Sequence, residues 1–309
     1  MRQRPRHAAR LFDNAPPRGT LECVVAVGAG PRVSAAGRSR STTARVDESS
    51  RRTTAREGRA AAMTSSRSGA SEVYVALGDS ISIDLYAGGP GRGGASLLAR
   101  NRDVDFPDWR GHDLATARPE LGFALLATDG ATTTSVLGGQ LPLVESSAVV
   151  PRIVTLTAGG NDVLRAYGDT RAALEIVSGF RTRVGRALDR LHALVRPGDP
   201  VVVGTVYDPS DGTGEAWRVG LSPWPDVVDV LAELNATLRV AAREHGAVVA
   251  DIHARFLGHG LEAGNPGQSD ARPANRALWY RNIIEPNAWG ADAVRAAFWA
   301  ALQNHGESR

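Results

Sequence analysis

The chain has 309 residues, 42% of them hydrophobic, and a formal net charge of +3 whose positive side is all arginine, since lysine is absent. Residues 1–70 hold 14 Arg against 5 acidic residues, a net of +9, while residues 71–309 hold 22 Arg against 28 acidic residues, a net of −6. The basic balance therefore belongs to the first 70 residues, and the acidic remainder excludes a nucleic-acid role resting on a basic surface.

In chain order, residues 1–70 predict a disordered, Arg-rich tail. Stretches 38–43 and 51–54 lack apolar periodicity and cannot bury enough surface to offset ordering entropy. The one apolar run, 23–27, is too short for a signal peptide core or a membrane span. Met63, followed by Thr64-Ser65-Ser66, reads as a second possible start just ahead of the first strand. The expected location is cytoplasmic, with no membrane partner. Cys23 is the only cysteine, so residues 71–309 contain neither a disulfide nor a thiolate metal site.

From residue 72 onward, short apolar runs alternate with helical patterns. Runs 73–77, 122–128, 153–157, 201–206 and 247–252 are nearly continuous, as expected for parallel strands buried on both faces. Residues 171–195 place Val177, Phe180, Val184, Leu188 and Leu191 at three- and four-residue spacing, and 227–245 repeats the pattern. Residues 290–302 predict a last helix. Segments 88–117 and 260–277 read as long loops, with a short helix near 96–101. The pattern predicts one α/β domain over 71–309, with a parallel sheet of about five strands and helices on both faces. Asn235-Ala236-Thr237 fits a glycosylation sequon inside a predicted helix and is read as noise.

Three motifs fall at carboxyl ends of predicted strands: Gly78-Asp79-Ser80, Asp129-Gly130-Ala131 and Gly159-Gly160-Asn161-Asp162. Each alone is ordinary turn and cap chemistry. Together they supply a hydroxyl, a glycine whose N–H can approach a ligand, and a side-chain amide. A nucleophile facing an oxyanion hole needs those parts.

In this order the motifs resemble the SGNH (GDSL-type) hydrolases, over roughly residues 72–304. The resemblance implies a flavodoxin-like α/β/α sandwich and a small-molecule ester substrate, with no cofactor. It makes Ser80 the nucleophile and assigns the oxyanion hole to the Ser80 and Gly130 N–H groups and the Asn161 amide. No His/Asp/Glu cluster shows metal-ligand spacing, so no metal is expected.

The family's last block, Asp-x-x-His, is altered. Glu285 stands where the His belongs and Asn282 where the orienting Asp belongs, anchored by Pro286, Asn287 and Gly290. An ordinary Glu (pKa ~4.3) is a weaker base than His (~6.5) by roughly 3 kcal/mol. Burial toward ~6–7 would recover much of that. Charge matters too: His becomes a cation as the oxyanion forms, whereas Glu only becomes neutral. Of the seven histidines, His259, after the fifth strand, is the best substitute base, though a capping or packing role is the stronger reading of it.

Two functions remain. One is a serine esterase acting on a small acyl ester, with Glu285, His259 or water as proton acceptor. The other is a non-catalytic protein that uses the pocket to grip a carboxylate or acylated ligand. Nucleotide or flavin binding is disfavoured because no phosphate-cradling glycine loop is present. Acyl chain, alcohol and oligomeric state are not readable from the sequence.

Overall fold

A computed structural model describes residues 71–216, 220–261, 263, 278–282 and 284–307. The tail, the start at Met63 and most of segment 260–277 lie outside the described residues. Five strands form one parallel sheet: β1 (Glu72–Gly78), β2 (Gly122–Leu125), β3 (Val150–Thr157), β4 (Val201–Gly204) and β5 (Val248–Ala250), in the order β2-β1-β3-β4-β5. The chain leaves β1 for one neighbour and then crosses to the other. The carboxyl ends of β1 and β3 thus flank the switch point where open α/β sheets bind ligands.

Alternation along the strands feeds two cores. Val73, Val75, Leu77, Val154, Leu156, Val201 and Val203 pack on one face against the two long helices. Tyr74, Ala76, Ile153 and Val202 pack on the other. The helices used below are α1 (Gly94–Ala99), α2 (Leu141–Ser146), α3 (Gly160–Leu164), α4 (Thr170–Leu194), α5 (Val227–Glu244), α6 (Ile252–Phe256) and α7 (Ala288–Glu307). Helices α4 and α5 bring Phe180, Leu188, Leu191, Leu234 and Leu238 to the first face, while α1 and α7 bring Leu98, Val294 and Phe298 to the second. Among the described residues no helix is long and apolar enough to cross a membrane.

Several elements differ from the expected bounds, each for a local reason. β4 stops at Gly204 because both main-chain groups of Val206 bond the Asn235 side chain, at 2.8 Å each, instead of a strand. Asn235, the sequon residue, is thereby a buried clamp from α5. β5 ends at Ala250 because Asp251 turns to cap α6, accepting from Ala254 N–H. A helical stretch over 133–146 escapes the periodicity, since Thr132 opens it with a capping box and Gly138-Gly139 lie in its π turn, Val136–Gln140. That turn aims Gln140 at the end of β1. Its side chain accepts from Gly78 N–H at 2.7 Å and donates to Gly78 C=O at 2.8 Å.

In the 88–117 segment, the Arg295 guanidinium of α7 is buried, 4.1 Å from the Trp109 ring centre and 4.8 Å from that of Phe106, and paired with Asp292 and Asn101. It pins this long connection to the second core. At the other end of β1, Gly78 has φ +120°, and a Cβ there would lie 2.0 Å from the Thr157 carbonyl oxygen. Gly78→Ala is therefore expected to cost more than about 2 kcal/mol of unfolding free energy. An unchanged urea midpoint would contradict this.

Candidate active site

The site grows from the β1 exit. Because Gly78 leaves the strand with positive φ, the chain turns at once. Asp79 C=O accepts from Ser82 N–H at 3.1 Å, and the Asp79 carboxylate accepts from Ile81 N–H at 3.2 Å. Thr157 of β3 fastens the turn from beside it, accepting from Asp79 N–H at 3.3 Å and bonding the Ser82 hydroxyl at 3.0 Å. Ser80 is carried at the tip, 8% exposed.

The second motif is a turn in which Gly130 has φ +68° and open space where a Cβ would go. Its glycine is required by backbone conformation rather than by crowding. Asp129 beside it accepts from the Tyr86 hydroxyl at 2.9 Å, tying this turn to the loop that follows Ser80. The third motif leaves β3 through Gly159 (φ +118°) into α3. There Asn161 donates one amide hydrogen to Ala131 C=O at 3.1 Å. An amide carries two such hydrogens, so one remains for a ligand. Asp162 accepts from Thr133 Oγ1 at 2.6 Å and Thr133 N–H at 2.9 Å, with Arg183 behind it. The Gly130 and Asn161 turns are thus locked to each other by two side chains from α3.

The fourth segment is a short antiparallel hairpin, β6 (Tyr280–Arg281) with β7 (Glu285–Pro286). Asn282 turns it with φ +56°, a left-handed conformation that asparagine tolerates better than most residues. It is exposed and serves the backbone. Tyr207 donates to Ile284 C=O at 2.5 Å, holding the hairpin from below. Asn287 caps α7 by accepting from Trp289 and Gly290 N–H groups, and donates to Leu278 C=O, so helix and hairpin share one anchor.

The hairpin delivers Glu285 beside Ser80, whose hydroxyl lowers the pKa of its carboxyl. Burial raises the Glu285 carboxyl to about 7, the Ser80 hydroxyl opposes this, and the carboxylates of Asp129 and Asp79 push it further up. Among the described residues its Oε2 is buried without a partner. Burial likewise raises Asp79, to about 6, against the lowering effect of its Thr157 and backbone hydrogen bonds. A serine hydroxyl facing a carboxylate that titrates near neutrality can lose its proton during attack on an electrophile.

The structure thus brings Ser80 and Glu285 together and ties the Gly130 and Asn161 turns to one another. His259 is 2% exposed, with its ring stacked on Trp279 at 3.4 Å between centres. His253 directs Nδ1 to Val206 C=O at 3.1 Å. Gln140, Thr157 and Asp162 position the three turns but were not among the expected site residues. Only the identity of Asp162, next to Asn161 in its motif, gave a hint of this.

No curated protein sequence matches the chain. Among solved structures, an extracellular lipase from Streptomyces rimosus is similar at 24% identity, with TM-score 0.50, over 75% of this chain and 100% of that one. Axe2, an acetylxylan esterase from Geobacillus stearothermophilus, is similar at 16% identity and TM-score 0.50, over 76% of this chain and 95% of that one. These likenesses show a shared fold. A model of the GDSL-like lipase/acylhydrolase family matches residues 76–293, from within β1 into α7 and across all four segments described above. The chain belongs to the GDSL-like lipase/acylhydrolase family.

Proposed function

We propose that this protein is a serine hydrolase that cleaves a small acyl ester, with Ser80 as nucleophile and Glu285 as general base. The observation that carries this reading is the convergence of the Ser80 hydroxyl, the Asn161 amide turn and the Glu285 carboxyl, raised by burial to about 7, at the carboxyl ends of β1 and β3. Ser80 Oγ attacks the ester carbonyl as its proton passes to Glu285. The Ser80 and Gly130 N–H groups and the free Asn161 amide hydrogen hold the resulting oxyanion. The carbonyl re-forms, the ester C–O bond breaks, and Glu285 returns the proton to the departing alkoxide. Water then attacks the acyl-serine as Glu285 again takes the proton; the acyl C–Oγ bond breaks, Glu285 returns the proton to Ser80 Oγ, and the carboxylic acid leaves.

Glu285 is preferred to His259 as base because the Ser80 hydroxyl meets Glu285, while the His259 ring is packed against Trp279. The passive alternative, a pocket for a carboxylate ligand, is weakened by charge. Asp79 and Asp129 both act on Glu285, and an anion would join these acidic groups.

The test is hydrolysis of p-nitrophenyl butyrate together with labelling by a fluorophosphonate. Turnover and modification at Ser80 are expected; neither turnover nor label would overturn the proposal. The kcat/KM profile should rise with pH and level off above about 7, because Glu285 must be ionised to accept a proton. An acid limb centred near pH 4 would remove Glu285 from the mechanism.

A further inference from the structure

Beside Ser80 opens a pocket of ≈ 830 Å³, its open mouth included. Ser80 and Asn161 lie at one end. The walls are aliphatic and aromatic, with Leu164 on α3, Val227 and Leu231 on α5, and Tyr167 and Trp224 between. The charged residues lining it are Asp79 and Asp208, and Asp208 is already occupied, accepting from Ser210 N–H and hydroxyl and from Gly212 N–H. Among the described residues that line it there is no arginine or histidine.

Two aromatic rings build part of the wall and are held in place. The Tyr167 and Trp224 ring centres are 5.3 Å apart at 70°. Tyr167 donates its hydroxyl to Ser222 C=O at 2.6 Å, and Trp224 donates Nε1–H to Thr170 Oγ1 at 2.9 Å. Each ring therefore satisfies its polar atom away from the space it borders. A pocket with such pinned walls does not collapse when empty, so filling it with apolar atoms gains contact at little cost in rearrangement.

We infer, on the basis of the hydrolase reading above, that this pocket receives the acyl group of the ester, and that the acyl group is an uncharged chain several methylenes longer than acetyl. The direction follows from the proton route. The alcohol must leave beside Glu285, which takes and returns the proton, and Glu285 is not among the residues lining the pocket. The substituent that stays on the Ser80 carbonyl takes the apolar space. An acyl group ending in a carboxylate would meet Asp79 and Asp208, with no cation among the described lining residues to balance it. An acetyl group would leave most of the wall uncovered.

The test is a series of p-nitrophenyl acetate, butyrate, hexanoate and octanoate. Full burial is worth about fourfold per methylene, so kcat/KM is expected to rise at least ~10-fold from acetate to hexanoate. Leu164→Trp, which fills the half-buried wall of α3, should lower the hexanoate-to-acetate ratio at least ~10-fold. A series in which acetate is best, or a ratio indifferent to Leu164→Trp, overturns the inference. Calorimetric binding of hexanamide and acetamide to Ser80→Ala gives a readout independent of turnover. Hexanamide should bind at least ~10-fold more tightly, and equal affinities would overturn the pocket assignment. Failure to hydrolyse any ester would instead count against the hydrolase reading.

Discussion

Ser80→Ala is expected to lower kcat/KM for p-nitrophenyl butyrate by ~10⁴-fold or more, and to abolish fluorophosphonate labelling. The size follows from what the hydroxyl does. Without it no acyl-enzyme forms, and only the donors around the oxyanion remain to assist water. The substitution is small, and the turn around it is built from other atoms: Asp79, Ser82 and Thr157 supply its hydrogen bonds. The variant should therefore fold. One side effect has a definite sign: the Ser80 hydroxyl holds the Glu285 carboxyl down, so its removal should push that carboxyl higher. Turnover within a few-fold of the parent would exclude Ser80 as the nucleophile.

The second large effect belongs to Glu285. Glu285→Gln keeps the shape but cannot take a proton, and kcat should fall by ~10² to 10⁴. The neutral-pH acid limb should vanish with it. Glu285→His makes the argument reciprocal. An imidazole of ordinary pKa ~6.5 becomes a cation as the oxyanion forms, and here it would be flanked by Asp79 and Asp129, which favour that cation. Activity retained or raised in Glu285→His, beside a strong loss in Glu285→Gln, would identify the position as the base. A loss confined to His259→Ala would move the role to His259.

The sheet was legible because buried parallel strands leave unbroken apolar runs, and α4 and α5 because their stripes repeat over five or more turns. The first three site motifs were legible because glycines and a serine at strand ends have few other uses in that combination. The supports were not. Gln140 reaches Gly78 across 62 positions, and Asn235 reaches Val206 across 29, so no local pattern contains either pair. Nor does the sequence show that Asn282 turns a hairpin through a left-handed backbone, which gives that residue a purpose unrelated to orienting a base. Glu285 itself stood out only against the pattern of a family; by composition and spacing it is one acidic residue among many. The Tyr167–Trp224 wall is likewise invisible in sequence, since its partners come from the end of α3 and the connection into α5.

The two buried carboxyls also tie conformational stability to acidity. In an unfolded chain both would titrate near pH 4; in the fold Asp79 titrates near 6 and Glu285 near 7. Between those limits the folded state holds more protons than the unfolded state. The contribution of these groups is therefore fully present at about pH 4 and is lost as pH rises through 6 and 7. On the proposed mechanism turnover follows the opposite course, because Glu285 can accept a proton only after giving up its own. Mild acid should thus preserve this corner of the fold while silencing the proposed chemistry, whose working state is reached by discarding a proton that helps hold the fold together.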